Sequence, residues 1–250
     1  MRRYDLEDII YGRNPVFEAI ESGREINKLV FLEGSKDKAL QKIIDAAKLK
    51  KIVMQFSDRK HLDKLAEGEN HQGVIAYVAP YAYYEVEDLL AKAAAKNEPP
   101  FLIICDEITD PHNLGSIIRT ANAVGAHGVI IPKRRSAAIN QTVVKTSCGA
   151  VEYVPVARVT NITQTIGYLK EAGVWIAGTD MGAPTYYKAN LTGAIAIVIG
   201  NEGDGISRLV KESCDFMISL PMLGEVSSLN ASVAAGVVMY EIVRQRQLKS

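Results

Sequence analysis

Polar residues that could bind a ligand follow the apolar segment FLIIC at positions 101–105. The chain turns at Asp110-Pro111, and a helix predicted to begin at Asn113 carries Arg119. Open α/β sheets bind ligands beyond the carboxyl ends of their strands, so this segment lies in a suitable place. In the alternative interpretation, Asn113 caps the helix and Arg119 is a solvated surface residue.

A second candidate is the glycine-rich segment IVIGNEGDGIS at 197–207. A predicted buried strand runs into Gly200, Gly203 and Gly205, and a helix follows. Glycine lets a ligand approach the backbone closely. The spacing differs from G-x-G-x-x-G, and no G-K-[ST] follows, which argues against a nucleotide-binding loop of either kind. The alternative is a tight turn between strand and helix.

A third candidate is SLPMLGEVSSLNASVAAG at 219–236. A strand ends near Pro221, and Ser227, Ser228 and Asn230 then precede a helix rich in alanine and valine. The alternative is that Asn230 caps this helix and the serines are turn residues. The small residues of the helix would allow close packing against another element, within one subunit or between two.

The elements that position these candidates follow from the hydrophobic pattern. The segments FLIIC, GVIIP, VWIAG and AIAIVIG are apolar throughout, as strands buried on both faces of a parallel sheet are, and helical patterns separate them. Residues 1–78 alternate strand and helix patterns and predict a small α/β domain. Residues 79–99 predict a linker with a short helix, and 100–250 a second α/β domain.

Composition excludes several classes of protein. The chain is 48% hydrophobic and 23% charged with a net charge of zero, typical of a globular protein and uninformative about a nucleic-acid partner. Cys105, Cys148 and Cys214 lack metal-ligand spacing, so we expect neither a disulfide framework nor a bound metal. No apolar run is long enough to span a membrane, and acidic residues interrupt the N-terminal region, so we expect a cytoplasmic protein.

Taken together, the three segments resemble the SpoU (TrmH-like) branch of the SPOUT RNA methyltransferases. The matching blocks are NLGSIIRTA at 113–121, IGNEGDGI at 199–206 and PMLGEVSSLNASVA at 221–234. In the first domain, IYGRNPVFEAI and HQGVIA are similar to the substrate-binding domain of the ribosomal RNA guanosine 2′-O-methyltransferase subgroup.

This resemblance implies a fold, a cofactor and a set of site residues. The catalytic domain should be a parallel-sheet domain with a trefoil knot at its C-terminal end, and it should form a homodimer whose interface contributes to the active site. The cofactor should be S-adenosyl-L-methionine. The positions implied to contact it are Gly178, Thr179, Gly200, Asn201, Gly203, Leu220 and Leu229. Those implied to surround the ribose and the transferred methyl group are Asn113, Arg119, Glu202, Ser228 and Asn230.

The implied reaction methylates a ribose 2′-hydroxyl in RNA, with a guanosine of 23S ribosomal RNA the favoured target. The resemblance assigns proton removal to Arg119, but a guanidinium stays protonated in proteins. We therefore favour a role in which Arg119 clamps a phosphate and polarises the hydroxyl. The alternatives are a transfer RNA substrate, a non-catalytic ribosomal-type RNA-binding protein, and an oxidoreductase, against which the glycine spacing argues.

Two groups of basic residues could contact RNA phosphates. Lys133-Arg134-Arg135-Ser136 stands where many relatives have D-R-S, and it could equally be a solvated loop. In the first domain the candidates are Arg13, Lys48, Lys50, Lys51, Arg59 and Lys60.

Overall fold

The computed structural model describes residues 8–201, 203–225 and 228–248. Within them the strands are β1 Asp8–Tyr11, β2 Ile26–Leu32, β3 Met54–Ser57, β4 Val74–Val78, β5 Phe101–Cys105, β6 Gly128–Pro132, β7 Val156–Val159, β8 Trp175–Thr179, β9 Ile195–Ile199 and β10 Phe216–Ile218. The helices are α1 Arg13–Ser22, α2 Lys38–Leu49, α3 Arg59–Leu65, α4 Val86–Ala95, α5 Pro111–Ala123, α6 Gln141–Thr146, α7 Ile162–Glu171, α8 Arg208–Ser213 and α9 Ala231–Gln247. In this part of the chain no helix is long and apolar enough to cross a membrane.

The chain forms two compact units. The first contains the residues up to Ala82 together with Ile139–Tyr153, and the second contains Tyr83–Ala138 and the chain from Val154 onward. The segment 139–153 is joined to the first unit by a buried ion pair between Arg24 and Glu152 at 2.7 Å. Deleting residues 1–78 alone would therefore leave Glu152 without Arg24, and the domain boundaries at 78 and 100 stay a prediction.

The first unit has a four-stranded sheet in the order β1-β4-β2-β3. Strand β3 runs parallel to β2, and β4 is antiparallel to both of its neighbours. Asp37 is the N-cap of α2, since its side chain accepts a hydrogen bond from the backbone N–H of Ala39 at 2.8 Å. The apolar face of α2 buries Leu40, Ile43 and Ala47, as its helical spacing predicts.

The second unit has a six-stranded sheet, parallel throughout, in the order β10-β8-β9-β5-β6-β7. Every residue of β5 and of β9 is buried, which confirms the prediction from their apolar sequences. The chain runs from β5 towards β7 on one side and returns on the other side to β8, β9 and β10. The strand order thus reverses between β5 and β9, where the crevice beyond the carboxyl ends is a favourable ligand site.

Helix α4, which lies in the predicted linker, is part of the second unit. Its residues Val86, Leu89 and Ala93 are buried. Leu89 packs closely over the start of β6, where a Cβ on Gly128 would stand 2.2 Å from Leu89 Cγ. The absence of a side chain at Gly128 therefore allows this helix to pack against the sheet.

A buried histidine stabilises the start of β5. His127 Nδ1 accepts a hydrogen bond from the backbone N–H of Phe101 at 3.0 Å, so Nε2 carries the ring proton and donates to Glu98 at 3.0 Å. Burial lowers the pKa of His127, although Glu98 acts in the opposite direction. The folded protein therefore favours a neutral imidazole at this position.

The lowered pKa of His127 predicts a loss of stability in mild acid. Below the unfolded-state pKa of about 6.5 the unfolded chain binds a proton that the folded chain does not. The free energy of unfolding should then fall, by at most about 1.4 kcal/mol per pH unit, until the lowered folded-state pKa is reached. Urea unfolding between pH 7.5 and 5 should show a flatter pH dependence for His127→Gln than for wild type or for the control His61→Gln. Parallel curves for wild type and His127→Gln would contradict this.

Candidate active site

A cavity of about 180 Å³ opens beyond the carboxyl ends of β8, β9 and β10. Six of the residues expected to contact a cofactor line it: Thr179, Gly200, Asn201, Gly203, Leu220 and Leu229. Ser228, expected near the ribose, lines it as well. Gly178 does not, and it has a packing role, because a Cβ there would lie 2.6 Å from Met217 Sδ. Three separate segments of the sequence thus meet in one cavity.

The loop after β9 folds back tightly on itself. Asn201 and Gly205 exchange two backbone hydrogen bonds, at 2.9 and 3.0 Å. A Cβ on Gly200 would lie 2.2 Å from the carbonyl carbon of Gly205, so only glycine fits there. Gly205 has a φ of 70°, in the left-handed region that favours glycine. The turn that sequence analysis proposed as an alternative is therefore present, and it forms one wall of the cavity.

Two polar side chains attach this loop to the end of β5. Asp106 is buried, and its Oδ2 accepts a hydrogen bond from the backbone N–H of Ser207 at 2.7 Å. Asn201 Nδ2 donates to the carbonyl of Glu107 at 3.1 Å, while Asn201 Oδ1 accepts from the N–H of Gly203 at 2.8 Å. These bonds fix the loop between the two central strands. Glu202, the candidate in the middle of the loop, lies outside the described residues.

The close approach at Gly200 predicts that Gly200→Ala is destabilising. The new methyl group would displace the backbone at Gly205, and forced overpacking of this kind lowers the free energy of unfolding by about 1–3 kcal/mol. The control is Gly193→Ala, since an added Cβ at Gly193 meets nothing within 4 Å. Urea unfolding of both variants measures the difference. Equal stabilities of the two variants would show that the loop opens at no cost.

Asn113 and Asn230 meet at the start of two helices. Asn230 Nδ2 donates to Asn113 Oδ1 at 2.9 Å, and Asn230 Oδ1 accepts from the N–H groups of Ser232 and Val233. Asn230 thus caps α9 and orients Asn113 with the same amide. The alternative that Asn113 caps α5 is wrong, because α5 begins two residues earlier and Asp110 caps it by accepting from the N–H of His112.

Arg119 lies on the exposed surface of α5. It has no hydrogen-bond or ion-pair partner within 8–201, 203–225 and 228–248, and it does not line the cavity. Six helical residues rotate the chain by about 240° beyond one full turn, so Arg119 leaves α5 on a different face from the buried Asn113. Its guanidinium is available to a group outside the subunit.

Several residues of the cavity gave no signal in the sequence. Asp180, Met181 and Met222 line it, although their types are not distinctive and only their place after strands could have indicated them. Asp180 forms an ion pair with Lys211 of α8. Cys105 lies near the site but is buried, and burial, together with the charge of Asp106, raises the pKa of its thiol to about 12. It is therefore an inert core residue.

The basic residues predicted to contact RNA phosphates differ in whether they already have partners within the chain. Arg135 forms an exposed ion pair with Glu107 at 3.1 Å, whereas Lys133 and Arg134 are exposed. In the first unit Arg13 is paired with Asp37 at 2.6 Å, and Lys50 donates to carbonyl groups at the end of α1. Arg13 and Lys50 thus already have structural partners, which weakens their case as phosphate contacts.

The described residues contain no cluster of three or more histidine, cysteine, aspartate or glutamate side chains placed to hold a metal ion. The polar side chains around the cavity are the amide of Asn201, the hydroxyls of Thr179 and Ser228, and two carboxylates, of which Asp180 is ion-paired. Apolar residues such as Ile199, Leu220 and Leu229 supply much of the remaining surface. This mixture suits an organic ligand that has one flat apolar part and several polar groups.

Known protein families match both parts of the chain. Residues 100–240 match the model of the SpoU rRNA Methylase family, and residues 9–84 match that of the RNA 2′-O ribose methyltransferase substrate binding family. The YacO protein of Bacillus subtilis, whose name assigns it to the TrmH family of tRNA/rRNA methyltransferases, is 52% identical over 241 residues, which cover 96% of each chain.

Solved structures of SpoU methyltransferases are also similar to this chain. The SpoU methyltransferase AviRb from Streptomyces viridochromogenes, in complex with the cofactor AdoMet, matches with a TM-score of 0.80 and 28% identity over 96% of this chain and 91% of its own. The TrmH/SpoU tRNA modifying enzyme of A. aeolicus matches with a TM-score of 0.56 and 30% identity, over 61% of this chain and 78% of its own. The chain belongs to the SpoU rRNA methylase family and is an RNA methyltransferase.

Proposed function

We propose that this protein transfers a methyl group from S-adenosylmethionine to a ribose 2′-hydroxyl of RNA, with a guanosine of 23S ribosomal RNA the favoured target. The observation that carries this proposal is the cavity beyond β8, β9 and β10. Its lining includes six of the seven positions that the family pattern assigns to the cofactor. The site works in the cytoplasm, where RNA is available, and the second unit holds the catalytic residues.

The residues of the cavity fit S-adenosylmethionine. Ile199, Leu220 and Leu229 offer apolar surface for a planar adenine, and backbone groups of the loop at 200–205 can pair with its polar edges. When bound, this cofactor supplies a methyl group on a positively charged sulfur. The knotted C-terminal path typical of the family stays a prediction for this chain.

The protein contributes mainly positioning to the reaction. Asn230 fixes the side chain of Asn113, and the pair holds the ribose beside the cavity. Arg119 binds the adjacent phosphate with two parallel hydrogen bonds and polarises the 2′-hydroxyl. Ser228, which lines the cavity, and Glu202 complete the surroundings of the ribose.

We propose that the active unit is a homodimer, in which α9 supplies part of the interface. Three apolar residues on one side of α9 are exposed: Val233 by 51%, Val237 by 37% and Tyr240 by 56%. Their spacing of four and three residues aligns them on one helical face. A contiguous apolar face of this kind is a typical subunit contact. In such a dimer Arg119, which lies on a different face of α5 from Asn113, can serve the cavity of the second copy.

This arrangement predicts that Tyr240→Glu dissociates the dimer. A charge within an apolar contact must be desolvated on association, and an unpaired buried charge is strongly unfavourable. Sedimentation velocity should show a shift from dimer to monomer, with loss of methyl transfer. Val53→Glu, at a similarly exposed apolar position on the first unit, should remain dimeric. A dimeric Tyr240→Glu protein would place the interface elsewhere.

The ribosomal RNA assignment is supported by the family model that residues 100–240 match, which is that of the SpoU rRNA Methylase family. The tRNA modifying enzyme of A. aeolicus aligns with only 61% of this chain, whereas AviRb aligns with 96%. The experiment is to incubate the protein with methyl-labelled S-adenosylmethionine and separate pools of ribosomal and transfer RNA. Label in 23S RNA is expected. Label in transfer RNA alone would favour the alternative substrate, and label in neither would refute the proposal.

A further inference from the structure

The first unit contains a depression between α2 and β3, which we call the α2–β3 depression. It has a volume of about 390 Å³, within the range of sites that hold small organic groups. Its apolar part includes the buried side chains of Phe31 and Leu40. Phe56 and Lys48 also line it. None of its residues belongs to the candidate active site.

Phe56 gives this depression an aromatic surface. Its ring lies on that of Phe31, with centroids 5.8 Å apart and planes inclined by 28°. The side chain of Phe31 is buried, whereas Phe56 is 49% exposed. Among the described residues, strand β3 is at the edge of its sheet and pairs only with β2. A half-exposed ring that already belongs to a stack offers a further flat group a surface on which to continue the stack.

The surroundings of the depression are basic, although the whole chain is neutral. Between residues 33 and 60 there are eight lysines and arginines and four aspartates and glutamates. Lys48 lines the depression with an exposed side chain. Its nearest carboxylate, Asp45, is 3.9 Å away and also accepts a hydrogen bond from Gln41 at 2.8 Å. The contact between Lys48 and Asp45 is therefore weak, and the Lys48 ammonium can bind a phosphate instead.

Polar groups accompany the apolar surface. Ser35 and Gln41 line the depression, and both side chains are exposed. The loop that carries Ser35 is held in place by Asp37, which pairs with Arg13 and caps α2. A preformed depression with an aromatic face, a carboxamide and a hydroxyl can stack a flat heterocycle and bond its edge. A lysine at the rim can bind the phosphate attached to it.

We infer that the α2–β3 depression binds one unpaired nucleobase of the RNA, stacked on Phe56, with an adjoining phosphate on Lys48. The inference rests on the proposed function, because it assumes RNA as the substrate. Single-stranded RNA is recognised in this way elsewhere, through bases splayed onto aromatic side chains beside basic groups. The lysine excess favours RNA over an apolar peptide, which would need neither Lys48 nor the basic surroundings.

The test is binding of a fluorescein-labelled single-stranded RNA dodecamer to the full chain, measured by anisotropy. Phe56→Leu keeps an apolar side chain against Phe31 but removes the aromatic face. It should weaken binding about tenfold, the effect expected of one lost base stack. Phe56→Trp should bind like wild type. The control Leu49→Ala, at a position 86% exposed and outside the lining, should also bind like wild type.

A second RNA, identical but with abasic sites in place of the bases, separates stacking from charge. Wild type and Phe56→Leu should bind it equally, while Lys48→Ala should weaken binding to both RNAs and lower the salt dependence by about one ion. Equal binding of the base-containing RNA by wild type and Phe56→Leu would overturn the inference. The inference would also be overturned if Phe56→Leu lost as much affinity for the abasic RNA as for the base-containing RNA. Methyl transfer by wild type is measured separately, so failure of the proposed function is distinguished from failure of this site.

Discussion

Arg119→Ala abolishes methyl transfer, on our account, and leaves the dissociation constant of S-adenosylmethionine unchanged. Arg119 is exposed on α5 and does not line the cavity, so its removal should not disturb cofactor binding. Arg119→Lys should fail almost as badly, because an ammonium cannot reproduce the planar contact with two parallel hydrogen bonds. A general base would instead tolerate lysine in part, with activity rising towards the lysine pKa of about 10.4.

Calorimetric cofactor binding and a pH–rate profile of each variant measure these effects. Arg208→Ala, another exposed arginine on a helix, is the matched control and should retain activity. Methyl transfer by Arg119→Ala at nearly the wild-type rate would show that Arg119 is only a solvated surface residue.

Mixed dimers test whether Arg119 serves the second copy. If it does, combining Arg119→Ala with Asn230→Ala subunits creates one intact site in each mixed dimer. Random pairing then restores roughly a quarter of the wild-type activity, because half of the dimers are mixed and each has one working site of two. No recovery would show that Arg119 acts within its own subunit.

The second large effect is expected at Asn230. Asn230→Ala removes the cap of α9 and leaves the buried acceptor of Asn113 without this donor. Loss of a cap costs about 1 kcal/mol, and loss of the hydrogen bond to Asn113 adds about 1 kcal/mol. We therefore expect both a lower free energy of unfolding and a loss of methyl transfer.

Two further variants separate the roles of Asn230. Asn230→Asp can still cap the helix but presents a carboxylate oxygen to Asn113 Oδ1, so it should regain only the capping part of the lost stability, about 1 kcal/mol, and lose the activity. Asn161→Ala is the control, because Asn161 caps α7 by accepting from the N–H of Gln164 and lies outside the cavity lining. It should lose about 1 kcal/mol and keep its activity. Full transfer by Asn230→Asp would contradict a positioning role.

The sequence predicts those helices and strands whose hydrophobic pattern directly reflects their burial in the core. The sequence predicts a final helix from about Ala231 to Gln247, which α9 matches, and β5 and β6 coincide with the apolar segments FLIIC and GVIIP. The strands β1 and β7 were not predicted, because each has only four residues and includes a charged one, Asp8 or Arg158, that hides the pattern. The segment KIVMQF at 51–56 predicts a strand, but β3 begins only at Met54, since Lys51 takes a positive φ of 55° as the chain leaves α2.

The candidate site could be predicted only in part. Local signals identified Gly200 and its turn, because a strand that runs into several glycines is visible in the sequence. The contact between Asn113 and Asn230 joins residues 117 positions apart, and spacing along the chain carries no trace of it. Resemblance to a family supplied that information. Asp106, which anchors the loop to β5, gives no distinctive signal in the sequence, because a single carboxylate after a strand is common.

Identification of the modified nucleoside tests the central claim most directly. RNA methylated by the purified protein is digested to nucleosides and analysed by mass spectrometry. Our account predicts a nucleoside with the added methyl group on the ribose, 2′-O-methylguanosine from 23S RNA, and none from the Arg119→Ala protein. A methyl group on a base, or no methylated nucleoside beyond the level of the Arg119→Ala control, would contradict it.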